Sequence, residues 1–492
     1  MSLMGIDIGT TGTKAIVFDE NGSVLASDYK EYDLLFPEPG WVEFDTDAQW
    51  KKVFDVLRNV NNTPAVIKDP VTALAVSTFG EGITPVDGKG NVIFNTIYST
   101  DARSIKELEF VLSKYSIAEL FGITGFPPGY ICPLNKILWI KNNRPLIYKN
   151  TKKIFLTDDL LAHKLGVEEP RINYALASRT LFFDVRKKEW TKGILDDFDI
   201  DISLFSKPAP SGIEIGKVSR KIAEELGFKG QVSVVSGCHD QPCSALGAGA
   251  VTGGVAADGM GTVECATICM EEAQTNGEML AYNFPCQAHG VADKYVTLAY
   301  NLSSGSVVKW FRDNISDGQN QTIREISSKL DYTTSRIFAL PYFSATGTPY
   351  QDPVAKGSLI GLDLGTTKED IFKALVEGLV FEICFNLELV KKSGIKLTEL
   401  RATGGGAKSD YELKLKASLL GSPILRMDIT EAGCLATMML AGAGTGKFTL
   451  NEAISKFVKV KDRFEPDNKI KQRYLEKYEK YKKIYGLVSQ LY

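Results

Sequence analysis

Long hydrophobic runs are missing from this chain of 492 residues, because no stretch approaches the about 20 apolar residues that a membrane-spanning helix needs. The N-terminus also lacks a signal-peptide pattern and begins almost at once with residues typical of a strand. The eight cysteines are scattered, and a chain of this size does not need disulfides to be stable. We therefore expect reduced thiols, a cytoplasmic location and no membrane partner.

The chain also lacks a marked excess of either positive or negative residues. Lys plus Arg number 57 and Asp plus Glu number 60, so the net charge of -3 gives no reason to expect a nucleic-acid partner. The basic residues between positions 469 and 483 alternate with glutamates and tyrosines, which indicates the solvated face of a terminal helix. With 44% hydrophobic and 24% charged residues the composition is that of a globular protein, and the length favours two domains.

The chain begins with a pattern of three strands and two turns. Residues 4–8 and 14–19 have the composition of strands, and they flank a loop of Gly and Thr at 9–13. Asn21-Gly22 is a strong hairpin signal, after which residues 24–29 form a third strand. This order predicts two consecutive tight turns at the start of a sheet.

A weakly similar pattern recurs in the second half of the chain. Gly261-Thr262 repeats Gly9-Thr10, an apolar stretch follows at 263–270, and another Asn-Gly turn is predicted at 276–277. Two related halves with mixed strands and helices predict an α/β fold of two domains that face one another. We place these domains at residues 1–246 and 247–492.

Asp7 is an acid inside an apolar strand. An unpaired carboxylate is costly to bury, so such a residue is usually paired or takes part in chemistry. The loop after it offers backbone N–H groups and hydroxyls to phosphate oxygens, and Lys14 adds a positive charge. Gly261-Thr262 supplies a second turn of this kind from the opposite domain. The alternative interpretation of the first segment is an ordinary Gly-rich hairpin.

A second acid, Asp240, stands between a predicted strand at 232–236 and an Ala- and Gly-rich helix. A residue there would lie in the crevice at the carboxyl end of an open sheet, which is the usual position of a ligand. Phosphoryl transfer needs little beyond a positioned nucleophile and a carboxylate that accepts its proton. Cys238, His239 and Cys243 match no zinc spacing, and we interpret His239 as a structural residue.

Three consecutive glycines, Gly404 to Gly406, follow an apolar segment and precede a helical pattern. They let a flat ligand approach the backbone, and a helix N-terminus favours anions, so the segment suits the adenine, ribose or α-phosphate of a nucleotide. A mere tight turn is the alternative. Residues 441–448 are only superficially similar to a P-loop, since Ala441 and Phe448 replace the Gly and the Ser or Thr that this motif requires.

Taken together, these segments resemble the FGGY family of carbohydrate kinases along essentially the whole chain. The second signature of that family is matched by Gly357, Ser358, Leu359, Ile360, Gly361, Leu362, Asp370, Ile371, Ala374, Leu375, Val376 and Glu377. The first signature departs at its opening position, Ile131, and is otherwise matched by Pro133, Lys136, Ile137, Trp139, Ile140, Asn142 and Asn143. The resemblance implies an actin-like fold of two ribonuclease-H-like domains with the active site in the cleft between them.

The resemblance also implies roles for individual residues. Asp240 would be the base that activates a substrate hydroxyl, and Asp7 would help to hold the Mg2+ ion that accompanies ATP. The residues implied to face the γ-phosphate are Gly9, Thr10, Thr11 and Lys14. The residues implied to contact the other phosphates and the nucleoside are Gly261, Thr262, Gly405, Gly406 and Ala407.

The sugar is indicated less sharply by the same resemblance. Loops after the first-domain strands are expected to bind it through Phe79, Gly80, Glu81, Tyr98, Asp101 and Arg103. The alternative for Glu81 and Asp101 is that they are surface loop acids. The chain is most similar to xylulokinases, although that subfamily usually has a Met-His pair where this chain has Phe79 to Gly82. Glu81 is similar to a glutamate of glycerol kinases, whose preceding Arg is absent here. A ketose such as xylulose is the leading interpretation, and fuculose, ribulose, glycerol and gluconate are alternatives.

Two other classes of protein share parts of this pattern. An actin-like ATP-binding module can serve as a chaperone or filament subunit, but such a protein has no need of Asp240 and acid-bearing substrate loops. A dinucleotide-dependent oxidoreductase is disfavoured, because no Gly-x-Gly-x-x-Gly turn follows the first strand. The expected partner is a small sugar or polyol. Many relatives form dimers, so a homodimer is a further expectation.

Overall fold

The computed structural model describes residues 2–491. Its strands are β1 (Ser2–Ile8), β2 (Gly12–Phe18), β3 (Val24–Glu31), β4 (Leu34–Leu35), β5 (Glu43–Phe44), β6 (Val71–Thr78), β7 (Thr84–Val86), β8 (Thr96–Ile97), β9 (Lys153–Phe155), β10 (Arg171–Asn173), β11 (Phe183–Asp184), β12 (Glu189–Trp190), β13 (Lys207–Ala209), β14 (Glu214–Lys217), β15 (Ser233–Val235), β16 (Cys238–His239), β17 (Val255–Met260), β18 (Glu264–Met270), β19 (Gln287–Ala288), β20 (Tyr295–Asn301), β21 (Phe338–Leu340), β22 (Ser358–Ile360), β23 (Glu399–Thr403), β24 (Ile424–Met427) and β25 (Val460–Phe464).

Helices fill the segments between these strands. They are α1 (Thr46–Asn61), α2 (Pro64–Lys68), α3 (Ile105–Lys114), α4 (Ile117–Thr124), α5 (Pro133–Asn143), α6 (Pro145–Asn150), α7 (Thr157–Lys164), α8 (Tyr174–Ala177), α9 (Lys192–Asp197), α10 (Arg220–Leu226), α11 (Asp240–Gly247), α12 (Gly277–Ala281), α13 (Gly305–Asn314), α14 (Asn320–Ser328), α15 (Lys368–Lys392), α16 (Asp410–Leu420), α17 (Ala432–Gly444), α18 (Leu450–Phe457) and α19 (Asn468–Val488). Short 3-10 helices lie at Ile202–Leu204, Gly406–Lys408 and Ser489–Leu491.

The main sheet of the first half has the strand order β14-β15-β6-β1-β2-β3, and β16 also pairs with β6. Strand β2 is antiparallel to both β1 and β3. Strand β6 runs parallel to β1, β15 and β16. The central strands β1 and β6 are buried almost throughout. Their nearly continuous apolar sequences are typical of strands that are covered on both faces.

The main sheet of the second half repeats this arrangement. Its order is β25-β24-β23-β17-β18-β20, with β19 beyond β20. Again three antiparallel strands adjoin two parallel ones, and an antiparallel strand closes the edge. The predicted α/β architecture with two similarly built halves is therefore confirmed.

One helix of the second half packs on the first sheet. Helix α17 lies against β1 and β6, and its Cys434 and Met438 share a buried cluster with Leu3 and Ile16. Gly5 permits this close approach, because a Cβ atom at that position would lie only 2.0 Å from the Cys434 carbonyl oxygen. The two halves of the chain therefore pack against one another through a shared buried core, and they do not meet only at a cleft.

Two Asn-Gly pairs that look alike in the sequence behave differently. Asn21-Gly22 forms the predicted turn between β2 and β3, where Gly22 has a φ of 83°. Asn276-Gly277 does not form the predicted turn. Instead the side-chain oxygen of Asn276 accepts a hydrogen bond from the Met279 amide at 2.9 Å and caps helix α12. Asn serves equally well as a helix cap, which is why the pair misled the prediction.

The C-terminal helix α19 has the predicted solvated face. Its lysines point mainly outward, and Tyr474, Tyr478, Tyr481 and Tyr485 form the buried face at helical spacing. Lys477 is an exception, because it is buried and bonds to the carboxylate of Glu377. The helix is therefore part of the core of the second domain.

All eight cysteines are buried and free of disulfide bonds. Residues 2–491 contain no helix that combines the length and the apolar character required to cross a membrane. Within the same residues, no three His, Cys, Asp or Glu side chains come together as a potential metal-binding group.

Candidate active site

Three strands of the first sheet end at the same edge and bring two acids together there. Asp7 lies next to the end of β1, and β1 pairs in parallel with β6 up to Thr78. Strand β16 pairs with the end of β6 and leads directly into Asp240, the first residue of α11. The carboxyl ends of parallel strands are where open α/β sheets bind their ligands.

A cavity of about 210 Å³, which we call the Asp240 cavity, opens at this edge. It is lined by Thr10, Phe79, Gly80, Glu81, Tyr98, Ser99, Arg179, His239, Asp240, Gln241, Val263, Cys265, Leu298 and Tyr300. Both halves of the chain contribute to its wall. Five residues that the resemblance implies for the substrate or the γ-phosphate lie in it together with Asp240, namely Thr10, Phe79, Gly80, Glu81 and Tyr98.

Asp240 holds its proton more strongly than an ordinary aspartate. Burial, followed by the negative charge of Asp7, raises the pKa of Asp240 to about 7, and Arg179 opposes this shift. The side chain is 36% exposed to the cavity that it lines. Its Oδ1 atom has no hydrogen-bond partner within residues 2–491, although His239 Nε2 lies 3.1 Å away. An acid in this state can accept a proton near neutral pH.

His239 is buried beside Asp240 and is not charged. Burial and the nearby guanidinium of Arg179 hold the pKa of His239 well below its usual range. An imidazole with so low a pKa is a weak base and does not compete with Asp240 for the substrate proton. This geometry agrees with our interpretation of His239 as a structural residue.

Asp7, next to the end of β1, is paired with Lys14 on β2, the second strand of the first hairpin. Burial raises the pKa of Asp7, while the neighbouring Ser77 hydroxyl opposes that shift. Lys14 forms an ion pair of 2.5 Å with Glu431, which precedes α17. Its ammonium group is thus engaged by a carboxylate from the second half of the chain.

The pair of acids fits a magnesium ion. Mg2+ is commonly held by one or two carboxylates together with substrate phosphates and water. The negative charge of Asp7 raises the pKa of Asp240, and the Asp240 side chain is 36% exposed to the cavity. A divalent cation near both carboxylates would stabilise their charged forms.

Glu81 is held in an unusual conformation within the cavity wall. It is buried and has a φ of 59°, which is uncommon for a residue with a side chain. Ser99 donates a hydrogen bond to its carboxylate at 2.9 Å, and Arg179 forms an ion pair with the other oxygen. The carboxylate is therefore a fixed part of the cavity and not a surface loop acid.

Arg179 is a residue that the sequence prediction missed. It follows helix α8, lies 98 positions after Glu81 and reaches the cavity across the chain. Gly80 makes room for it, because a Cβ atom at position 80 would lie 2.7 Å from Arg179 Nε. No local sequence pattern marks this arginine, since only the fold brings it to Glu81.

Lys136, which belongs to the first family signature, stabilises the loop that carries Glu81 through hydrogen bonds to its backbone. Its buried Nζ donates hydrogen bonds to the carbonyls of Glu81 at 2.8 Å and Tyr98 at 2.7 Å. Burial lowers the pKa of Lys136 to about 8. Tyr98 in turn bonds through its hydroxyl to Thr10, so the two loops are tied together.

Asp101 and Arg103 are not brought into the Asp240 cavity. Both side chains are fully buried, and the guanidinium of Arg103 binds Asp101 and Glu43 at 2.8 Å each. The same guanidinium lies over the ring of Trp41 at 3.9 Å. Apart from Arg103 Nη1, which has no hydrogen-bond partner within residues 2–491, the charged groups of this pair are engaged inside the domain, and this geometry favours a structural role over the predicted contact with the sugar.

A larger cavity of about 1090 Å³, which we call the Gly405 cavity, lies in the second half. It is lined by residues that include Gly261, Thr262, Gly305, Gly405, Gly406, Lys408 and Tyr411. Four of the residues implied for the nucleotide thus share one cavity. Ala407 is buried behind it, where its carbonyl accepts a hydrogen bond from Arg426 at 2.7 Å. Gly9 and Thr11 line neither this cavity nor the Asp240 cavity.

A buried charged cluster lies beneath the turn at Gly261-Thr262. Lys416 Nζ contacts Asp258 at 3.0 Å and also pairs with Glu264, and all three side chains are at most 1% exposed. Glu264 accepts a hydrogen bond from Ser304, whose amide donates to the Thr262 carbonyl at 3.0 Å. The cluster therefore connects the core of the second domain to the turn.

Comparisons with known proteins find similarity along nearly the whole chain. The model of the N-terminal domain of the FGGY family of carbohydrate kinases matches residues 2–247, and the model of its C-terminal domain matches residues 259–445. A xylulose kinase of Staphylococcus epidermidis is 26% identical over 99% of this chain and 97% of its own length. A glycerol kinase of Lactobacillus acidophilus is 28% identical over 94% of this chain and 93% of its own length. The crystal structure of a gluconate kinase from Lactobacillus acidophilus, 22% identical, superimposes with a TM-score of 0.90 over 99% of this chain and 98% of that chain.

Proposed function

The chain belongs to the FGGY family of carbohydrate kinases and is a carbohydrate kinase, and we propose that Asp240 is the base for transfer of the ATP γ-phosphoryl group to a sugar hydroxyl. The observation that carries this proposal is the partly exposed Asp240 carboxylate in a cavity lined by both domains. A pKa of about 7 matches the demands on a general base at neutral pH.

The proposed reaction is a single displacement at phosphorus. The acceptor hydroxyl donates a hydrogen bond to Asp240, its oxygen forms a bond to the γ-phosphorus, and the bond from that phosphorus to the bridging oxygen of ADP breaks. The hydroxyl proton passes to Asp240, and the electron pair of the broken bond leaves with ADP. Such a reaction depends mainly on positioning and on charge stabilisation.

ATP is expected to occupy the Gly405 cavity, with its phosphates directed toward Gly261-Thr262 and the loop of Thr10. Helix α16 begins beside this cavity, and its N-terminus favours anionic groups. The ion held by Asp7 and Asp240 would neutralise charge on the phosphates when it is bound. Closure of the two domains would exclude water as a competing acceptor.

A ketose such as xylulose is the leading acceptor. The support is the similarity to the Staphylococcus epidermidis xylulose kinase over nearly the entire chain. Similarity to a glycerol kinase and to the fold of a gluconate kinase keeps glycerol and gluconate among the alternatives, together with fuculose and ribulose. The Glu81 carboxylate and Arg179 supply both acceptors and donors for sugar hydroxyls.

The test is coupled ADP release with ATP and Mg2+ across ketopentoses, ketohexoses, sugar acids and polyols. We expect one compound to stimulate release strongly, and Asp240→Asn to lower that kcat by about 10²- to 10⁴-fold. Asp158→Asn is the matched control, because burial also raises the pKa of Asp158 to about 7 but this residue lies outside both cavities. Full stimulated activity in Asp240→Asn would show that another group is the base.

A further inference from the structure

A second cavity of about 510 Å³ adjoins the Asp240 cavity, and we call it the side chamber. The two cavities share Arg179, Leu298 and Tyr300 in their walls. Residues 126–131 of the first half and 345–353 of the second half contribute to the chamber. The space beside Asp240 therefore continues directly into the side chamber between the domains.

The two spaces together have room for an acceptor that is larger than the Asp240 cavity. Small-molecule sites usually have volumes of about 300 to 1,000 Å³. The Asp240 cavity, at about 210 Å³, falls below this range by itself, and the side chamber brings the combined space into it. The shared wall at Arg179 and Tyr300 is where such an acceptor would pass from one space into the other.

The wall of the side chamber is predominantly apolar. Phe126, Ile131, Pro285 and Leu302 present hydrocarbon surface to it. A sugar hydroxyl that enters such a space without a partner loses its hydrogen bonds to water, whereas a methyl or methylene group is favourably buried. The chamber therefore suits the part of a ligand that carries no hydroxyl.

The backbone of the chamber is also unusual. Eight non-glycine residues within 2–491 have a positive φ, and Asn283 (57°), Ala345 (69°) and Gln351 (50°) all line this chamber. This conformation costs a residue with a side chain about 1 to 2 kcal/mol. Backbone strain of this kind concentrates at ligand sites, where the surrounding structure enforces it.

The junction itself offers polar groups to the acceptor. Gln351 donates a hydrogen bond to the Tyr300 hydroxyl at 3.1 Å, which fixes the ring at the junction. Arg179 pairs with Glu81, but its Nη1 atom is buried without a partner within the described chain. An oxygen on the acceptor at this point would satisfy that donor.

We propose that the side chamber binds the non-reacting end of the acceptor, and that it favours a ketose whose far end is a methyl or another apolar group, such as fuculose, over xylulose. This inference rests on the proposed function, because it assigns the reacting hydroxyl to Asp240. It places the oxygen-rich part of the sugar between Asp240 and Arg179 and the deoxygenated end beyond Tyr300.

The test compares ketohexoses with their 6-deoxy forms as matched pairs of the same stereochemistry, in the coupled assay with saturating ATP and Mg2+. We expect the preferred 6-deoxy ketose to exceed its hydroxylated counterpart in kcat/KM by at least about fivefold, because an unpartnered hydroxyl is disfavoured in the chamber. Equal values, or a preference for the hydroxylated form in every pair, would overturn the proposal.

A variant that fills the chamber supplies the second readout. Gly129 lines the chamber, and a Cβ atom there would meet only the Pro127 carbonyl at 4.0 Å, so Gly129→Phe has room to project into it. We expect this variant to abolish the preference for the 6-deoxy form while the KM for ATP stays within twofold. Gly230→Phe is the control, since a side chain there meets nothing within 4 Å.

The outcomes distinguish a failure of the chamber proposal from a failure of the proposed function. If Gly129→Phe unfolds early in a thermal melt, Leu302→Phe fills the chamber from the opposite domain and takes its place. Asp240-dependent ADP release without a 6-deoxy preference contradicts the chamber proposal alone. If no acceptor in the panel gives ADP release that depends on Asp240, the proposed function fails and the chamber proposal fails with it.

Discussion

Asp240 shows how the surroundings of one residue set its chemistry. An aspartate in water has a pKa of about 3.9, whereas burial and the charge of Asp7 raise the pKa of Asp240 to about 7. Below that pH the carboxyl holds its proton and cannot accept another from a hydroxyl. Above it the carboxylate is free to act as a base. A bound magnesium ion would shift this boundary to lower pH.

This shift predicts an acidic limb in the pH profile of the enzyme. We expect kcat/KM for the acceptor to fall about tenfold for each pH unit below the limb, which lies at or below pH 7. The Asp158→Asn control should keep the limb, because that residue lies outside the Asp240 cavity. A profile that stays flat from pH 5 to 8 would contradict the role given to Asp240.

Arg179 illustrates a different effect at the same scale. Its position depends on the missing side chain of Gly80, on the carboxylate of Glu81 and on the ring of Phe126, which lies 4.8 Å from the guanidinium carbon. A single glycine thus allows a distant arginine to complete the wall of the cavity. The consequence is a fixed pair of opposite charges beside Asp240, suited to an acceptor that both donates and accepts hydrogen bonds.

At the scale of elements, the Lys416 cluster joins helix α16 to strands β17 and β18. Its charges are fully buried, and such a cluster holds together only because each charge has partners. Lys416→Met leaves Asp258 and Glu264 buried without a cation. We expect the free energy of unfolding, measured by denaturant titration, to fall by about 3 to 5 kcal/mol.

The same change should also affect the nucleotide. Glu264 supports Ser304, and Ser304 supports the turn at Gly261-Thr262, so we expect the KM for ATP to rise in Lys416→Met. Replacing Asp258 and Glu264 by Asn and Gln in the same protein should restore most of the stability. Lys469→Met, on the exposed face of α19, is the matched control. Equal stability of the two methionine variants would contradict a structural role of the cluster.

At the scale of the whole molecule, helix α17 links the two halves of the chain. It belongs to the second half but covers β1 and β6 of the first sheet. A fragment of residues 1–246 lacks this helix and would expose the apolar residues that the helix buries, among them Leu3 and Ile16.

We therefore expect residues 1–246 expressed alone to aggregate, and the same residues fused through a Gly/Ser linker to residues 428–459 to be soluble. Size-exclusion chromatography and a cooperative thermal transition would distinguish the two fragments. Co-expression of residues 1–246 with 247–492 should likewise give a soluble complex. A folded, monomeric fragment of 1–246 by itself would show that α17 is dispensable for the first domain.

The sequence by itself determined the features that depend on neighbouring residues. Short apolar segments typical of strands, the turn at Asn21-Gly22 and the acids at the ends of buried strands are local patterns, and they predicted an α/β fold with two related halves. Residues 441–448 were likewise distinguished from a P-loop, and helix α17 ends within them at Gly444. These predictions succeed because the period of a strand or helix and the conformation of a tight turn are fixed within a few residues.

Only the tertiary structure decided which distant residues meet. It paired Asp101 with Arg103 inside a domain, brought Arg179 to Glu81, placed Lys416 between two acids and laid α17 on the opposite sheet. Asn276 caps helix α12, which begins at Gly277, so the Asn276-Gly277 pair does not form the predicted turn. The physical reason is that contacts between distant segments depend on how complete elements pack, and no local period or turn signal encodes that packing.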